Sequence, residues 1–442
     1  MSKSIAPDSL ASDSLTPGSL TEWLHYLETL HPVGIDMGLE RVADVAQRMG
    51  LLSRPIATQV ITVAGTNGKG STLAMMDSIA RVHGMRVGTY TSPHLVRYNE
   101  RVTISGNYAD DQQLTAGFKR VEEARLQVPE ISLTYFEAGT LCALWCLAQA
   151  DLDLALLEVG LGGRLDAVNI IDADIGIVTT IAQDHANFLG TDIAQIGREK
   201  AGIFRAARPA VLGSQVLPSS VAAAAHAIEA PVYCLGDAFS HSADGGANAC
   251  SEWNWKGMTC QGEVITLTDL PDPGLPIDNA ATALQALILS GLVLNAEACR
   301  RALHEVQVPG RMQWIGQWCL DVGHNPHAAD YVAKRLPMMP EGGRQWALIG
   351  MLNDKDADGV ISALLPRITH WVCVTLEGER GRPAVELAER IVSLGGQVHH
   401  CSDSPEAGVR AIAEQLVPTD RVLVTGSFFT VAALLEMTLP QA

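Results

Sequence analysis

One segment constrains the fold of this chain more than any other, the run QVITVAGTNGKGST over residues 59–72. A β-branched, apolar stretch leads into a glycine-rich turn, and an amphipathic helical pattern follows directly. A strand, a glycine-rich turn and a helix in this order are the context of a phosphate-binding loop, where backbone N–H groups and the helix N-terminus face an anion. The segment therefore predicts an α/β domain that binds a phosphorylated ligand.

The predicted loop departs in one respect from the usual pattern GxxxxGK[ST]. Val63 stands where that pattern has glycine, and Gly70 displaces the hydroxyl to Ser71. The required chemistry is nevertheless present, because Lys69 supplies a charge for the outer phosphates and Ser71 a hydroxyl for Mg²⁺. The alternative is a glycine-rich turn beside a chance lysine. The predicted nucleotide-binding residues of the loop are Gly65, Thr66, Asn67, Gly68, Lys69, Gly70 and Ser71.

Short apolar runs alternate with helical patterns along most of the chain, and these runs are apolar on both faces. This alternation predicts an α/β fold with a mainly parallel sheet covered by helices on both sides. We expect a disordered tail over residues 1–18, an N-terminal P-loop ATPase-like domain over 19–307, a hinge linker over 308–311 and a smaller, Rossmann-like domain over 312–442. Residues 235–275, rich in Gly, Ser, Asn and Trp, are interpreted as small antiparallel strands and loops.

The amino-acid composition argues against some classes of binding partner and indicates the cellular compartment. The 442 residues carry 31 Lys and Arg against 49 Asp and Glu, a net charge of −18, which argues against nucleic acid or an anionic membrane as a partner. The nine cysteines contain no CxxC pair and suit reduced thiols. No apolar run reaches the roughly 18 residues of a membrane span, and residues 1–19 do not resemble a secretory signal. We expect a cytoplasmic monomer.

Polar side chains follow several of the predicted strands. Glu158 ends the run DLALLE, and Asp184 with His185 follows IGIVTTI. The carboxyl ends of parallel strands form the usual ligand crevice of an open α/β sheet, and a carboxylate or a neutral imidazole there can bind a metal. A structurally paired glutamate and a structural histidine are the alternatives. For Lys200, in GREKAGI, an ordinary solvated helix face is favoured on the sequence alone.

The loop GTNGKGS resembles that of the ATP-dependent amide ligases comprising the Mur ligases and the folylpolyglutamate synthases. Seven further blocks, in order, are similar to the dihydrofolate synthase/folylpolyglutamate synthase family. They are IDMGLERV (35–42), YTSPHLVRYNERV (90–102), LLEVGLGGRLDAVN (156–169), QDHANFLG (183–190), IGREKAGIFR (196–205), VPGRMQ (308–313) and DVGHNPHAA (321–329). The resemblance implies that residues 19–307 form an ATP-binding domain of the Mur ligase central type and residues 312–442 a glutamate ligase domain.

The resemblance also implies roles for individual residues. Two Mg²⁺ ions are expected, one held by Ser71 and Glu158 with ATP and one by His185, with Lys200 carbamylated by CO₂ as an oxygen ligand. Expected catalytic residues are Lys69, Lys200, His185, Asp166 and His324. Expected ATP contacts from outside the loop are Asn279, Arg311 and Asp321. Expected substrate-binding residues are Ser92, Pro93, His94, Arg101, Phe136, Asn169 and Ser427. Turn formation by Asp166 and Asn169, and helix capping by Glu137 beside Phe136, remain open.

The implied reaction is ATP-dependent formation of an amide. A substrate carboxylate attacks the γ-phosphate to give an acyl phosphate, and the amine of L-glutamate then attacks the acyl carbon. The resemblance implies dihydropteroate and reduced folates as the acceptors. A Mur-type ligase of peptidoglycan precursors is the alternative enzyme, although only 64 residues precede Gly65. The alternative outside the enzymes is a nucleotide-gated binding protein with an inactive site. Such a protein would lack one of the expected ligand residues.

Overall fold

The computed structural model describes residues 17–34, 36–184, 186–243, 252–339 and 342–441. The predicted tail lies outside these residues except for its last two positions, and His185 also lies outside them. In the described ranges, no helix is long and apolar enough to cross a membrane. The first helix begins at a capping box, in which Ser19 Oγ accepts a hydrogen bond from Glu22 N–H and the Glu22 carboxylate accepts one from Ser19 N–H.

The N-terminal domain is built on one eight-stranded sheet. Its strands are β1 (Gln59–Ala64), β2 (Val87–Tyr90), β3 (Val102–Ile104), β4 (Asn107–Tyr108), β5 (Leu154–Glu158), β6 (Ile175–Val178), β7 (Ala210–Leu212) and β8 (Val232–Cys234). Their spatial order is β4-β3-β2-β5-β1-β6-β7-β8, and every pair is parallel except β2–β3 and β3–β4. The central position of β1 and β5 places the phosphate loop and Glu158 side by side at the carboxyl edge of the sheet.

Helices cover both faces of this sheet. The helices of the domain are α1 (Leu20–Glu28), α2 (Glu40–Arg48), α3 (Lys69–Val82), α4 (Asp111–Arg125), α5 (Tyr135–Gln149), α6 (Ala186–Leu189), α7 (Ile193–Ala201), α8 (Ser219–Ala227), α9 (Ile277–Leu289) and α10 (Ala296–Glu305). Alternate residues of β5 enter opposite cores: Leu154 and Leu156 pack with α3 and α9, and Ala155 and Leu157 with α1, α2, α4 and α5. Burial of both faces explains the continuous apolar runs in the sequence.

Three antiparallel strands form the small sheet expected between residues 235 and 275. They are β9 (Ser240–Ala243), β10 (Trp253–Met258) and β11 (Val264–Leu270), in the order β11-β10-β9. Residues 244–251 of this stretch lie outside the described residues. Trp255 is fully buried and donates from Nε1 to the carbonyl of Ala281 in α9, at 3.1 Å. The small sheet therefore supports α9, the helix that carries Asn279.

The C-terminal domain contains a six-stranded sheet. Its strands are β12 (Gln313–Ile315), β13 (Trp318–Leu320), β14 (Gln345–Ile349), β15 (His370–Val374), β16 (Val398–Ser402) and β17 (Arg421–Thr425), in the order β12-β13-β17-β14-β15-β16. Only the β12–β13 pair is antiparallel. The helices are α11 (Pro326–Arg335), α12 (Ala357–Leu364), α13 (Ala384–Ser393), α14 (Pro405–Ala413) and α15 (Phe428–Leu435). The predicted fold class, α/β with a mainly parallel first sheet and a smaller second α/β domain, is confirmed.

Candidate active site

A cavity of about 550 Å³ lies between the two domains, at the carboxyl edges of both sheets. Many of the residues predicted from the sequence line it together. They are Gly65, Thr66, Asn67, Gly68, Lys69, Gly70, Ser92, Pro93, His94, Arg101, Glu158, Lys200, Arg311, His324 and Ser427. The lining also includes Glu28, Lys355 and Arg380, which were not predicted from the sequence. The cavity lining therefore carries both negatively and positively charged side chains, although the chain as a whole is negatively charged.

The phosphate loop takes its shape from two glycines that approach other residues closely. At Gly65 a Cβ atom would lie 1.9 Å from Thr179 Oγ1, and at Gly68, where φ is +86°, one would lie 2.8 Å from the Asn279 amide. The first helical hydrogen bond of α3 runs from Thr72 N–H to the carbonyl of Gly68, at 2.9 Å. The N–H groups just before Thr72 are therefore the orphan donors at a helix N-terminus, a position that favours an anion.

Ser71 and Asn279, which were predicted to bind Mg²⁺ and ATP, lie beneath the loop and do not line the cavity. Asn279 is buried and donates from Nδ2 to Ser71 Oγ at 2.8 Å, while Ser71 Oγ donates to the carbonyl of Gly68 at 3.1 Å. The predicted role of Asn279 as a direct ATP contact remains a prediction. Its observed contacts place it as a support that orients the Ser71 hydroxyl.

Glu158 presents a desolvated carboxylate beside the first turn of α3. Its side chain is 6% exposed, it accepts a hydrogen bond from Ser92 N–H at 3.3 Å, and a Cβ on Gly70 would lie 3.7 Å from its Oε2. Burial raises the pKa of Glu158, and the Lys69 ammonium opposes that rise. A carboxylate that has lost its water shell at this position fits a bound cation, which would restore the missing stabilisation.

Lys200 is buried, 6% exposed, so the solvated-face interpretation of this lysine is wrong. Its Nζ donates to the carbonyl of Gly65 at 3.0 Å, and Lys69 Nζ donates to the same oxygen at 3.1 Å. Burial, followed by repulsion from Lys69, lowers the pKa of Lys200 to about 7. A substantial fraction of Lys200 is therefore a neutral amine near neutral pH.

This low pKa predicts a pH-dependent stability that Lys200→Met removes. Between pH 7 and pH 10 the unfolded chain binds a proton at residue 200 that the folded chain releases, so the free energy of unfolding of the wild type should gain about 1 kcal/mol per pH unit relative to Lys200→Met. Urea unfolding of both proteins at pH 7, 8 and 9 in CO₂-depleted buffer measures the difference. Parallel pH profiles would show that Lys200 keeps an ordinary pKa.

Asp166 and Asn169 shape the loop after β5 without lining the cavity. Asp166 accepts hydrogen bonds from the N–H groups of Leu161 at 2.8 Å and Val168 at 3.0 Å, and burial raises its pKa to about 6. Asn169 donates from Nδ2 to the carbonyls of Arg164 and Gly202. These contacts match the turn-forming role that the sequence left open as an alternative for both residues. The catalytic and substrate-binding roles predicted for the two residues remain predictions.

A second part of the cavity is built on the loop after β2 and on α5. Arg101 donates from Nε to His94 Nδ1 at 2.8 Å, and its guanidinium lies 5.1 Å from the ring centre of Tyr98 and 5.8 Å from that of Tyr135. Burial and the Arg101 charge lower the pKa of His94 to about 4, so this imidazole is neutral. The result is a pocket with one aromatic wall, one fixed cation and one neutral imidazole.

Phe136 and Glu137 have supporting positions next to this pocket. The Phe136 ring packs against Gly160, where a Cβ atom would lie 2.5 Å from the ring, and is not part of the cavity lining. Glu137 accepts a hydrogen bond from Thr134 N–H at 2.8 Å and pairs with Arg41 at 3.0 Å. Capping of α5 is thus the observed role of Glu137.

The C-terminal domain closes the cavity with several of its own loop residues. Asp184, which follows β6, pairs with Lys355 Nζ at 2.6 Å and lies 3.4 Å from His324 Nε2. Arg311 lies over the Phe428 ring at 5.5 Å, and Asp321 is buried and accepts hydrogen bonds from the N–H groups of Met312 and Gly323. Ser427 caps α15 at the cavity wall.

Family models match both parts of this architecture. The Mur ligase middle domain matches residues 63–226, and the Mur ligase glutamate ligase domain matches residues 310–428. The dihydrofolate synthase/folylpolyglutamate synthase of Escherichia coli (strain K12) is 45% identical over 421 residues, which are 95% of this chain and 95% of that protein. The chain belongs to the dihydrofolate synthase/folylpolyglutamate synthase family. Its relation to the Mur ligases is that of the wider superfamily, and the family is one of ATP-dependent ligases.

Solved structures of the family share the two-domain arrangement. The structure of E. coli FolC in complex with DHPP and ADP superposes with a TM-score of 0.87 at 45% identity, covering 95% of this chain and 98% of that one. A bifunctional folylpolyglutamate synthase/dihydrofolate synthase with Mn, AMPPNP and L-glutamate bound gives a TM-score of 0.85 at 44% identity, with the same coverage of both chains. These are family members with nucleotide, metal and amino-acid ligands.

Proposed function

We propose that this chain adds L-glutamate to dihydropteroate, forming dihydrofolate, and to reduced folates, forming folylpolyglutamates, with ATP as the energy source. The observation that carries the proposal is the single cavity in which the phosphate loop, the buried Glu158 and the pocket around Arg101 meet residues of the second domain. The family relatives support it, because one has DHPP and ADP bound and another has AMPPNP, Mn and L-glutamate bound.

The residues of the cavity suit transfer through an acyl phosphate. The substrate carboxylate attacks the γ-phosphate of ATP and ADP leaves; the glutamate amine then attacks the acyl carbon, and phosphate leaves as the amide forms. Lys69 and the N–H groups at the start of α3 stabilise the charge on the transferring phosphoryl group. Arg311, His324 and Lys355 cover the site from the second domain, which keeps water from the reactive intermediate.

The donor set near the phosphate loop fits magnesium. Ser71 Oγ and the desolvated Glu158 carboxylate would hold one ion with the ATP phosphates, and His185 a second one, the latter assigned from the sequence alone. In the described part of the chain, no group of three or more His, Cys, Asp or Glu side chains could hold a metal by itself, so phosphate oxygens and water would complete the coordination. When bound, Mg²⁺ neutralises negative charge on the phosphates.

The environment of Lys200 supports the proposed carbamate. A neutral amine adds to CO₂ and releases one proton, and a pKa of about 7 provides that amine at neutral pH. The product is an anionic oxygen ligand in place of a buried cation. The carbamate would also relieve the repulsion between Lys200 and Lys69, which share the carbonyl of Gly65.

We further propose that the protein acts as a cytoplasmic monomer. The eight described cysteines are free thiols, as expected in a reducing compartment. The net charge of −18 favours small-molecule substrates over nucleic acid or membrane partners.

An ADP-release assay with L-glutamate and three acceptors tests the proposed function. We expect turnover with dihydropteroate and with tetrahydrofolate, and none above background with a UDP-muramoyl peptide. Turnover with the muramoyl peptide alone would instead support the Mur-type alternative. Nucleotide binding without turnover on any acceptor would indicate a protein that has lost catalysis.

A further inference from the structure

Helix α11 of the C-terminal domain is attached to the N-terminal domain at both of its ends. At its N-cap, Asn325 exchanges two hydrogen bonds with Asn67 of the phosphate loop: Asn325 Nδ2 donates to Asn67 Oδ1 at 2.9 Å, and Asn67 Nδ2 donates to Asn325 Oδ1 at 3.2 Å. In its last turn, Arg335 pairs with Asp272 at 2.7 and 3.1 Å. The helix therefore connects the phosphate loop at one end with the segment that follows β11 at the other.

The orientation of the amide pair is fixed by the helix cap. Asn325 Oδ1 accepts the N–H of Ala328 at 3.0 Å, which identifies this atom as the oxygen and leaves Nδ2 as the donor to Asn67 Oδ1. A flipped Asn67 amide would set NH₂ against NH₂ and oxygen against oxygen, so both hydrogen bonds of the pair would be lost. Asn325 is 4% exposed, so an unpaired amide at this position would be costly.

Asn67 itself is held to the first sheet through its main chain. Its N–H donates to Thr180 Oγ1 at 3.0 Å, and its carbonyl accepts from Thr179 Oγ1 at 2.6 Å. Its Nδ2 also contacts His327 Nδ1 at 3.2 Å. Because each polar group of Asn67 has a protein partner, its observed contacts connect the two domains, and the nucleotide contact predicted for Asn67 remains a prediction.

We propose that Asn67 and Asn325 are positioning residues that couple closure of the C-terminal domain to the geometry of the phosphate loop. The proposal rests on the proposed ligase function and extends it to residues that need not touch a substrate. Asn67 lies two residues before Lys69, and Asn325 directly follows His324, so the pair joins the segments that bring these two residues into the cavity from opposite domains. A displaced loop would bind nucleotide but misplace the transferring phosphoryl group.

Three variants of the full chain test this coupling: Asn67→Ala, Asn325→Ser, which keeps a capping hydroxyl, and the double variant. The matched control is Asn295→Ser, which changes the N-cap of α10, where Asn295 Oδ1 accepts the N–H of Ala298. Measured quantities are kcat for glutamate incorporation, the dissociation constant of MgADP, and the number of ADP molecules released per amide formed.

We expect each single variant to lower kcat about tenfold or more and to leave MgADP affinity within about threefold, because misplacement of reacting groups affects rate more than binding. Release of ADP should exceed one per amide, since a poorly closed cavity exposes the acyl phosphate. The double variant should lose no more than the worse single variant, as both changes break one pair. Asn295→Ser should match the wild type.

Losses in kcat that multiply in the double variant, or single variants that match the wild type, would overturn the coupling. Asn325→Asp provides a second route if Asn325→Ser folds poorly, because a carboxylate keeps the cap but opposes Asn67 Oδ1; full kcat in a folded Asn325→Asp would also overturn it. Wild-type incorporation is measured first, since its absence would contradict the proposed function itself and not the amide pair.

Discussion

Lys69→Ala is expected to lower the rate of amide formation by at least ~10²-fold, the usual consequence of removing one preorganised charge from a transition state. Lys69 begins α3, its side chain lies in the cavity lining, and its Nζ donates to the carbonyls of Gly65 and Thr66. Burial lowers the pKa of Lys69 and the Glu158 carboxylate opposes this shift, so an arriving phosphate would strengthen the ammonium form.

The measurement is single-turnover glutamate incorporation at saturating ATP, so that weaker nucleotide binding is not mistaken for slower chemistry. Lys119→Ala, on the exposed face of α4, is the matched control and should match the wild type. A Lys69→Ala protein that keeps more than half of the wild-type rate would contradict the assignment of the phosphate loop.

Lys200→Arg is expected to be as inactive as Lys200→Ala, although arginine preserves the positive charge. The reason is that a carbamate is an anion, and a guanidinium does not form one because it stays protonated at neutral pH. A small carboxylate such as formate or acetate, at high concentration, should restore part of the activity of Lys200→Ala by supplying the missing oxygen ligand.

Removal of CO₂ gives an independent test of the same residue. The wild type should lose activity in CO₂-depleted buffer and recover it when bicarbonate is added, with faster recovery as the pH rises through 7 and the neutral amine becomes more abundant. Full activity of Lys200→Arg, or wild-type activity that is insensitive to CO₂, would contradict the carbamate.

Local sequence patterns correctly predicted the strand, glycine-rich turn and helix at residues 59–82 and the mainly parallel sheet, because these depend on short-range chemistry. The burial of β1 and β5 on both faces follows directly from their apolar runs, and Glu158 comes at the end of β5 as the boundary predicts.

Contacts between distant segments could not be predicted in this way. Lys200 sits in a helical stretch between Arg198 and Glu199 on one side and Ala201 on the other, and only its packing against Gly65, 135 positions earlier, shows that it is buried. Lys355 pairs with Asp184 across 171 positions. One sequence feature could have identified Lys355: it follows the apolar run WALIGML. Glu158 was identified in the same way, from its position at the end of a predicted strand.

The most direct test of the proposed mechanism follows the oxygen atoms of the acceptor. Dihydropteroate labelled with ¹⁸O in its carboxylate is converted with ATP and L-glutamate, and the released phosphate is analysed by mass spectrometry. An acyl phosphate requires that one carboxylate oxygen leaves with phosphorus, so this mechanism predicts one ¹⁸O in the phosphate for each amide formed. Formation of the amide with release of unlabelled phosphate would contradict it.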